Sequence, residues 1–199
     1  MRQIGPEHID VIFTALERQI GVMKGEQIGL IVCGGTALAA LDLVLRTTKD
    51  VDVLGKVEVS ENNGLVLHAM KELPDWLEKA AEKVGRDFDL PEDWLNLGPA
   101  AQMETGLPNG FEQRLKESRF GEYLTIYYIS REDQIHFKLY ASLDRAGYHT
   151  EDLFALNPSE GEIESAAKWV LTQDVSEGFF LILRSFLKEH GYDDIAARI

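Results

Sequence analysis

The most constraining feature of this chain is a glycine pair set between two opposite local patterns. Gln27 to Cys33 (QIGLIVC) is a short β-rich run that ends abruptly at Gly34-Gly35. Thr36 to Leu45 (TALAALDLVL) follows, rich in Ala and Leu, and predicts a helix. Val51, Val53 and Leu54 then predict a second strand with Asp50 and Asp52 interleaved. A strand, a glycine turn, a helix and a strand make one α/β unit.

The rest of the chain is organised around that unit. A helix opens at Pro6-Glu7, with Ile9, Ile12, Leu16 and Ile20 at helical spacing and Pro suited to the first turn. Leu65 to Gly85 reads as mostly helical, broken at Pro74 and restarting at Asp75. Residues 87–121, with Pro91, Pro99 and Pro108, predict loops around a short helix at Glu112 to Glu117. Glu122 to Ser130 (EYLTIYYIS) is the strongest strand pattern. From Arg131 the chain turns helical. One helix spans Arg131 to Ala146, a capping box at Ser159 and Glu162 opens a second, and Ser176 to His190 forms a third. The expected fold class is α+β: a small mixed sheet with flanking helices, then a helical C-terminal half. The division falls into an α/β core over residues 1–130 and a helical region over 131–199 packed on it.

Composition narrows the partners. With 199 residues the chain is one large domain, or a compact one with a small appendage. Twenty Lys and Arg against 34 Asp and Glu give a net charge of -14, which argues against general coating of nucleic acid and against anionic membranes. A polycationic small molecule, a basic protein, or a nucleotide carried with a metal stay open. Cys33 is the single cysteine, so neither an internal disulfide nor a Cys-based zinc cluster is expected. Met1 to Asp10 lacks a signal-peptide pattern and no apolar run reaches membrane-spanning length, so the expected location is cytoplasmic.

The chemistry-bearing residues are Gly34, Gly35, Thr36, Asp50 and Asp52. Side chains on a strand alternate faces, which points Asp50 and Asp52 the same way. Two carboxylates on one face repel unless a cation sits between them, and Mg2+, with Mn2+ as the substitute, binds through one or two carboxylates plus substrate phosphates. Gly34-Gly35 at a strand end lets backbone N–H groups approach a phosphate, and Thr36 adds a hydroxyl. Alone, a Gly-Gly turn is an ordinary steric solution and Asp-x-Asp an ordinary solvated face. Their order and spacing together point to an enzyme that handles nucleoside triphosphates.

The run VCGGTALAALDLVLRTTKDVDVL from Val32 to Leu54 resembles the nucleotidyltransferase superfamily with the DNA-polymerase-β-like fold. More specifically, the chain is similar to minimal nucleotidyltransferases related to abortive-infection toxins. Those carry a later helix with Lys and Arg seven residues apart, shortly followed by an Asp. KLYASLDRAGYHTEDL, from Lys138 to Leu153, matches with Lys138, Arg145 and Asp152. The resemblance implies transfer of a nucleoside monophosphate from an NTP to an acceptor. Asp50 and Asp52 would hold Mg2+, Gly34, Gly35 and Thr36 would seat phosphates, and Lys138 and Arg145 would hold the triphosphate, with Lys138 steadying the leaving pyrophosphate. Toxin-like members suggest tRNA or a protein as acceptor, whereas the charge of -14 suits a cationic small molecule. Lys138 and Arg145 lie two helical turns apart and so on one face. Their alternative roles are a snorkelling Lys138 and an Arg145 bridged to Asp152 or Asp144.

The chain departs from the family in one respect. An active transferase generally has a third carboxylate on a later strand, and Glu122 to Ser130 holds no Asp. Glu122 or a loop residue such as Asp89 substitutes, or activation comes from elsewhere, or the chain binds nucleotide without turnover. A toxin–antitoxin component acting by protein contact is the other alternative. The five His residues show no metal spacing, Cys33 reads as a buried hydrophobe, and Trp76 and Trp169 pack. Trp94, in PEDWLN, also reads as packing, and as a loop aromatic it is the one of the three suited to stacking on a base.

Overall fold

Ile9, Ile12, Phe13, Leu16 and Ile20 recur every three or four residues and are all buried, which makes α1 (Pro6–Val22) the first core helix. The computed structural model describes residues 3–60, 62, 64–145 and 147–199. Among them are ten helices and six strands, an α+β architecture with a helical C-terminal half. The chain divides into two units, Met1–Glu104 with Gly110–Ser130, and Thr105–Asn109 with Arg131–Ile199.

In the first unit, β1 (Ile28–Cys33) runs into α2 (Gly34–Ala40), which is shorter than the predicted Thr36 to Leu45. It stops because Asp42 turns left-handed, at φ 53°, and Leu43 folds its N–H back onto the Leu38 carbonyl. β2 (Val51–Val59) returns antiparallel to β1, starting one residue after Asp50. A register shift faces Ile31 with Gly55 but Val32 with Val53, so Leu54 is an extra residue in β2. This bulge reverses the alternation, letting Val51 and Val53 enter the core while Asp52 faces the other side.

Two parts of the sequence reading are corrected here. Leu65 to His68 is not helical but forms β3 (Leu65–His68), paired with Lys56–Val59 across a turn in which the Gly64 amide donates to the Ser60 hydroxyl. A four-residue apolar run carries no period that separates strand from helix, and the partner strand decides. After α3 (Asp75–Phe88) and β4 (Leu95–Asn96), α4 (Gln102–Thr105) leads to α5 (Phe111–Arg114). The predicted helix Glu112 to Glu117 stops there, and Lys116 to Arg119 becomes β5 (Lys116–Arg119), an edge strand with no apolar alternation held by its neighbour. That neighbour is β6 (Leu124–Tyr128), parallel to β1.

The sheet order is β3-β2-β1-β6-β5, with β4 alongside β2. One face carries Leu30, Val32, Val51, Val53, Leu124, Ile126 and Tyr128, packed in a core with the apolar sides of α1 and α3. Trp94 belongs to this core at 1% exposure, and its indole N–H donates to the Ala81 carbonyl at 2.9 Å. It is therefore a packing residue and not a loop platform for a base.

The second unit is α6 (Arg131–Arg145), α7 (Tyr148–Ala155), α8 (Glu160–Gln173), α9 (Glu177–Glu189) and α10 (Asp193–Arg198). The predicted last residue of the first of these, Ala146, lies outside the described residues. Ile135, Leu139, Ile163, Ala166, Val170, Leu183 and Leu187 are among the buried apolar positions of this second unit. The predicted capping box is present: the Ser159 hydroxyl accepts from the Glu162 amide, and the Glu162 carboxylate accepts from the Ser159 amide. His149 lies in the first turn of α7. Among the described residues no helix is long and apolar enough to cross a membrane.

Candidate functional site

The junction of β1 and α2 is where the Gly-Gly turn meets the Asp-x-Asp segment. Cys33, the last residue of β1, pairs with Asp52 of β2, so Asp52 inside the strand and Asp50 just before it stand beside the turn. Gly34 sits at φ 66°, a backbone region that favours glycine. A side chain there would run into the Asp52 carboxylate Oδ2, with Asp52 Cγ only 3.3 Å from the would-be Cβ. Gly35 is hemmed in by different groups: a Cβ there would stand 2.8 Å from the Thr48 hydroxyl and 3.0 Å from Arg46 Nη2. The absent side chains at both glycines thus make room for the protein's own polar groups, a carboxylate at one residue and a guanidinium with a hydroxyl at the next.

Asp50 is tied to the same turn from two directions. The fully buried Thr36 donates its hydroxyl to the Asp50 carbonyl at 2.8 Å, binding α2 to the strand entrance. The Thr48 hydroxyl lies 3.1 Å from Asp50 Oδ1 and 3.2 Å from its carbonyl. Gly34, Gly35, Thr36, Asp50 and Asp52 are therefore brought together, and Thr36 serves the backbone of Asp50. Both carboxylate residues are only half-buried. Asp52 also has Asn96 beside it in the short parallel pairing with β4, and Asn96 Oδ1 accepts from the Gly98 amide at 2.8 Å.

The donor set suits Mg2+ in the form that uses one or two carboxylates and fills its remaining positions with water and phosphate. Among the described residues no group of three or more His, Cys, Asp or Glu is placed to hold a metal ion by itself. Glu122 is not a third ligand at this turn. β1 and β6 are parallel, paired from Ile28–Leu124 to Val32–Tyr128, and the turn follows Cys33 at one end while Glu122 precedes Leu124 at the other. Asp89 is the left-handed residue that ends α3. Val32, Val53 and Tyr128 pair on one sheet face, which leaves Ile129, next along the chain, on the side of Cys33 and Asp52. An apolar, fully buried residue stands there.

In the second unit Lys138 and Arg145 have different surroundings. Lys138 Nζ lies 2.7 Å from Asp152 Oδ2, an ion pair with side-chain exposures of only 5% and 4%. The Tyr148 ring stands 5.8 Å from the same ammonium. Arg145, in the last turn of α6, is 78% exposed and paired with its neighbour Asp144 at 3.0 Å. The helical spacing holds, but α7 covers Lys138 through Asp152 and leaves Arg145 at the surface.

Sequence reasoning missed Arg46, Thr48 and Asn96. The signals were local ones: Arg and two Thr in the four residues before Asp50, and an Asn followed two residues later by Gly, the composition of a side-chain-closed turn. Neither the curated proteins nor the solved structures give a match to this chain. A family model does match it, over residues 12–152, a span that runs from the first core helix through Asp152 and takes in every residue of the turn. The chain belongs to the family described as nucleotidyltransferase of unknown function, DUF6036.

Proposed function

We propose that the protein moves a nucleoside monophosphate from an NTP to an acceptor, working at the Gly34–Asp52 turn. The observation that carries this is the Asp52 carboxylate seated against the left-handed Gly34, with Asp50 held beside it by Thr36 and Thr48. The family match supports the reaction class.

Asp50 and Asp52 would hold Mg2+, which when bound would polarise the phosphate oxygens and orient the α-phosphate for in-line attack. The chain's own residues do the positioning. Thr36 fixes the Asp50 backbone, and the Thr48 hydroxyl restricts its carboxylate. The Cys33–Asp52 pairing and the bulge at Leu54 set which face Asp52 presents. Lys138 is assigned to steady the charge on the leaving pyrophosphate, with Asp152 fixing its ammonium. A cationic small molecule is the acceptor class that suits the charge of -14, with protein and tRNA as the other classes.

A second reading is favoured by one observation. Ile129 stands on the Asp52 face of the sheet where a further carboxylate would otherwise activate the acceptor, which fits a module that binds nucleotide without turnover. Calorimetry of the four NTPs with Mg2+ on the wild type and on Asp50→Ala/Asp52→Ala tests the site. Metal-dependent binding that disappears in the double variant supports it, and no binding by folded wild type overturns it. Transfer of α-labelled NTP to an acceptor then separates the enzyme from the silent module.

A further inference from the structure

Each glycine of the pair borders a charged side chain. Asp52 occupies the space at Gly34 and Arg46 the space at Gly35, so a carboxylate and a guanidinium flank two successive residues of one turn. Arg46 reaches this place from the connection between α2 and β2, where Arg46-Thr-Thr-Lys-Asp50 leads directly into the carboxylate pair. The Thr48 hydroxyl stands 2.8 Å from the would-be Gly35 Cβ, a point that Arg46 Nη2 also approaches, and 3.1 Å from Asp50 Oδ1. Arg46 itself is half-buried, so its guanidinium is partly desolvated and its position is restricted.

Charge balance gives this arrangement a consequence. Two carboxylates and one divalent cation cancel, so they leave a triphosphate's own charge unanswered. A chain with 34 acidic and 20 basic residues supplies no diffuse positive field to make up the difference, so a cation placed at the turn contributes directly to that balance. A guanidinium suits this task better than an ammonium: it stays charged at every physiological pH and offers a planar fork that matches two phosphate oxygens at once. Resting on the nucleotide reading above, we propose that Arg46 is a further phosphate-binding residue of this site, gripping the triphosphate from the Gly35 side while Asp50 and Asp52 take the metal. Gly35 is then glycine because the guanidinium must lie against the turn.

The test is a ladder of NTP, NDP and NMP of one base, each with Mg2+, titrated calorimetrically into wild type, Arg46→Lys, Arg46→Ala and the exposed-charge control Lys71→Ala. Thermal melts of all four proteins run in parallel. Wild type and Lys71→Ala are expected to favour the triphosphate over the monophosphate. Arg46→Ala is expected to reduce that preference at least tenfold, and Arg46→Lys to restore only part of it because the fork is lost. An Arg46→Ala protein that keeps the wild-type ladder overturns the inference and leaves the nucleotide reading standing. A variant that loses affinity for all three ligands by the same factor, with a lowered melting temperature, shows a structural role and also overturns it. A folded wild type that binds none of the ladder removes both.

Discussion

The Asp52 carboxylate fills the space in which a side chain at Gly34 would begin. Gly34 also holds φ at 66°, so two separate constraints meet at one residue. Gly34→Ala should cost about 1–3 kcal/mol from backbone strain, and more from displacing Asp52. Combining it with Asp52→Ala separates the two. The cost of Gly34→Ala in urea unfolding should shrink in the Asp52→Ala background, because the overlapping oxygen is gone. Equal costs in both backgrounds would mean that backbone strain alone is responsible.

Thr36→Val keeps the shape of a buried side chain and removes its hydrogen bond to the Asp50 carbonyl. A loss of about 1–2 kcal/mol in stability is expected, since that carbonyl loses a donor. Metal-dependent NTP binding should weaken with it, because the Asp50 backbone is no longer held to α2. Calorimetry on a sample whose melt is known checks both effects together.

The pair Lys138–Asp152 allows structure and activity to be told apart. Lys138→Ala or Asp152→Ala alone strands a buried charge and should destabilise by about 3–5 kcal/mol. Lys138→Met with Asp152→Leu removes both charges and should recover most of that stability. If Lys138 steadies the leaving group, the double variant stays inactive despite its restored unfolding midpoint. Recovered transfer would make the pair purely structural.

Acid sensitivity should report Glu162. The hydrogen bond from Arg131 holds its carboxyl at about 2, well below the ordinary 4.5, with the Ser159 amide and hydroxyl adding to the effect against desolvation. The folded state therefore prefers the ionised form. The contribution is fully present above pH 4.5 and is lost as the pH falls through about 2. Because the pair is partly open to solvent, its size is about 1–2 kcal/mol. The stability gap between wild type and Glu162→Gln should close over that window, as followed by urea midpoints.

Trp94 supplies a negative control for base stacking. Trp94→Phe leaves the Ala81 carbonyl without its donor and should cost about 1–3 kcal/mol. Its NTP affinity should equal that of wild type, because the indole is inside the core. A tenfold fall in affinity at unchanged stability would move Trp94 back into the site.

Much of the fold was legible in the sequence. Ile9, Ile12, Leu16 and Ile20 carry a helical period over several turns, and the Ser159 capping box is a local exchange of hydrogen bonds within four residues. Such patterns need no distant partner. Leu65 to His68 and Lys116 to Arg119 were misread because neither run has a period of its own. Each is a strand only through pairing, with Lys56–Val59 in one case and Thr125–Tyr128 in the other. The candidate site divides in the same way. Gly34, Gly35, Asp50 and Asp52 were visible as spacing, while Arg46, Thr48 and Asn96 lie in connections whose composition says little about where they end.

By itself the sequence determined the order strand, glycine turn, helix, strand, and with it the presence of two carboxylates just beyond a sharp turn. It also determined the helical C-terminal half, because capping and apolar periodicity act over a few residues. Only the tertiary structure decided which polar groups meet. Asp52 reached Gly34 through the β1–β2 register, and a bulge at Leu54 set its face. Arg46 came to rest on Gly35 because α2 ends early, and Lys138 found Asp152 because α7 folds back over α6. Contacts of this kind depend on how chain segments close on one another, a free energy that no single stretch of residues contains.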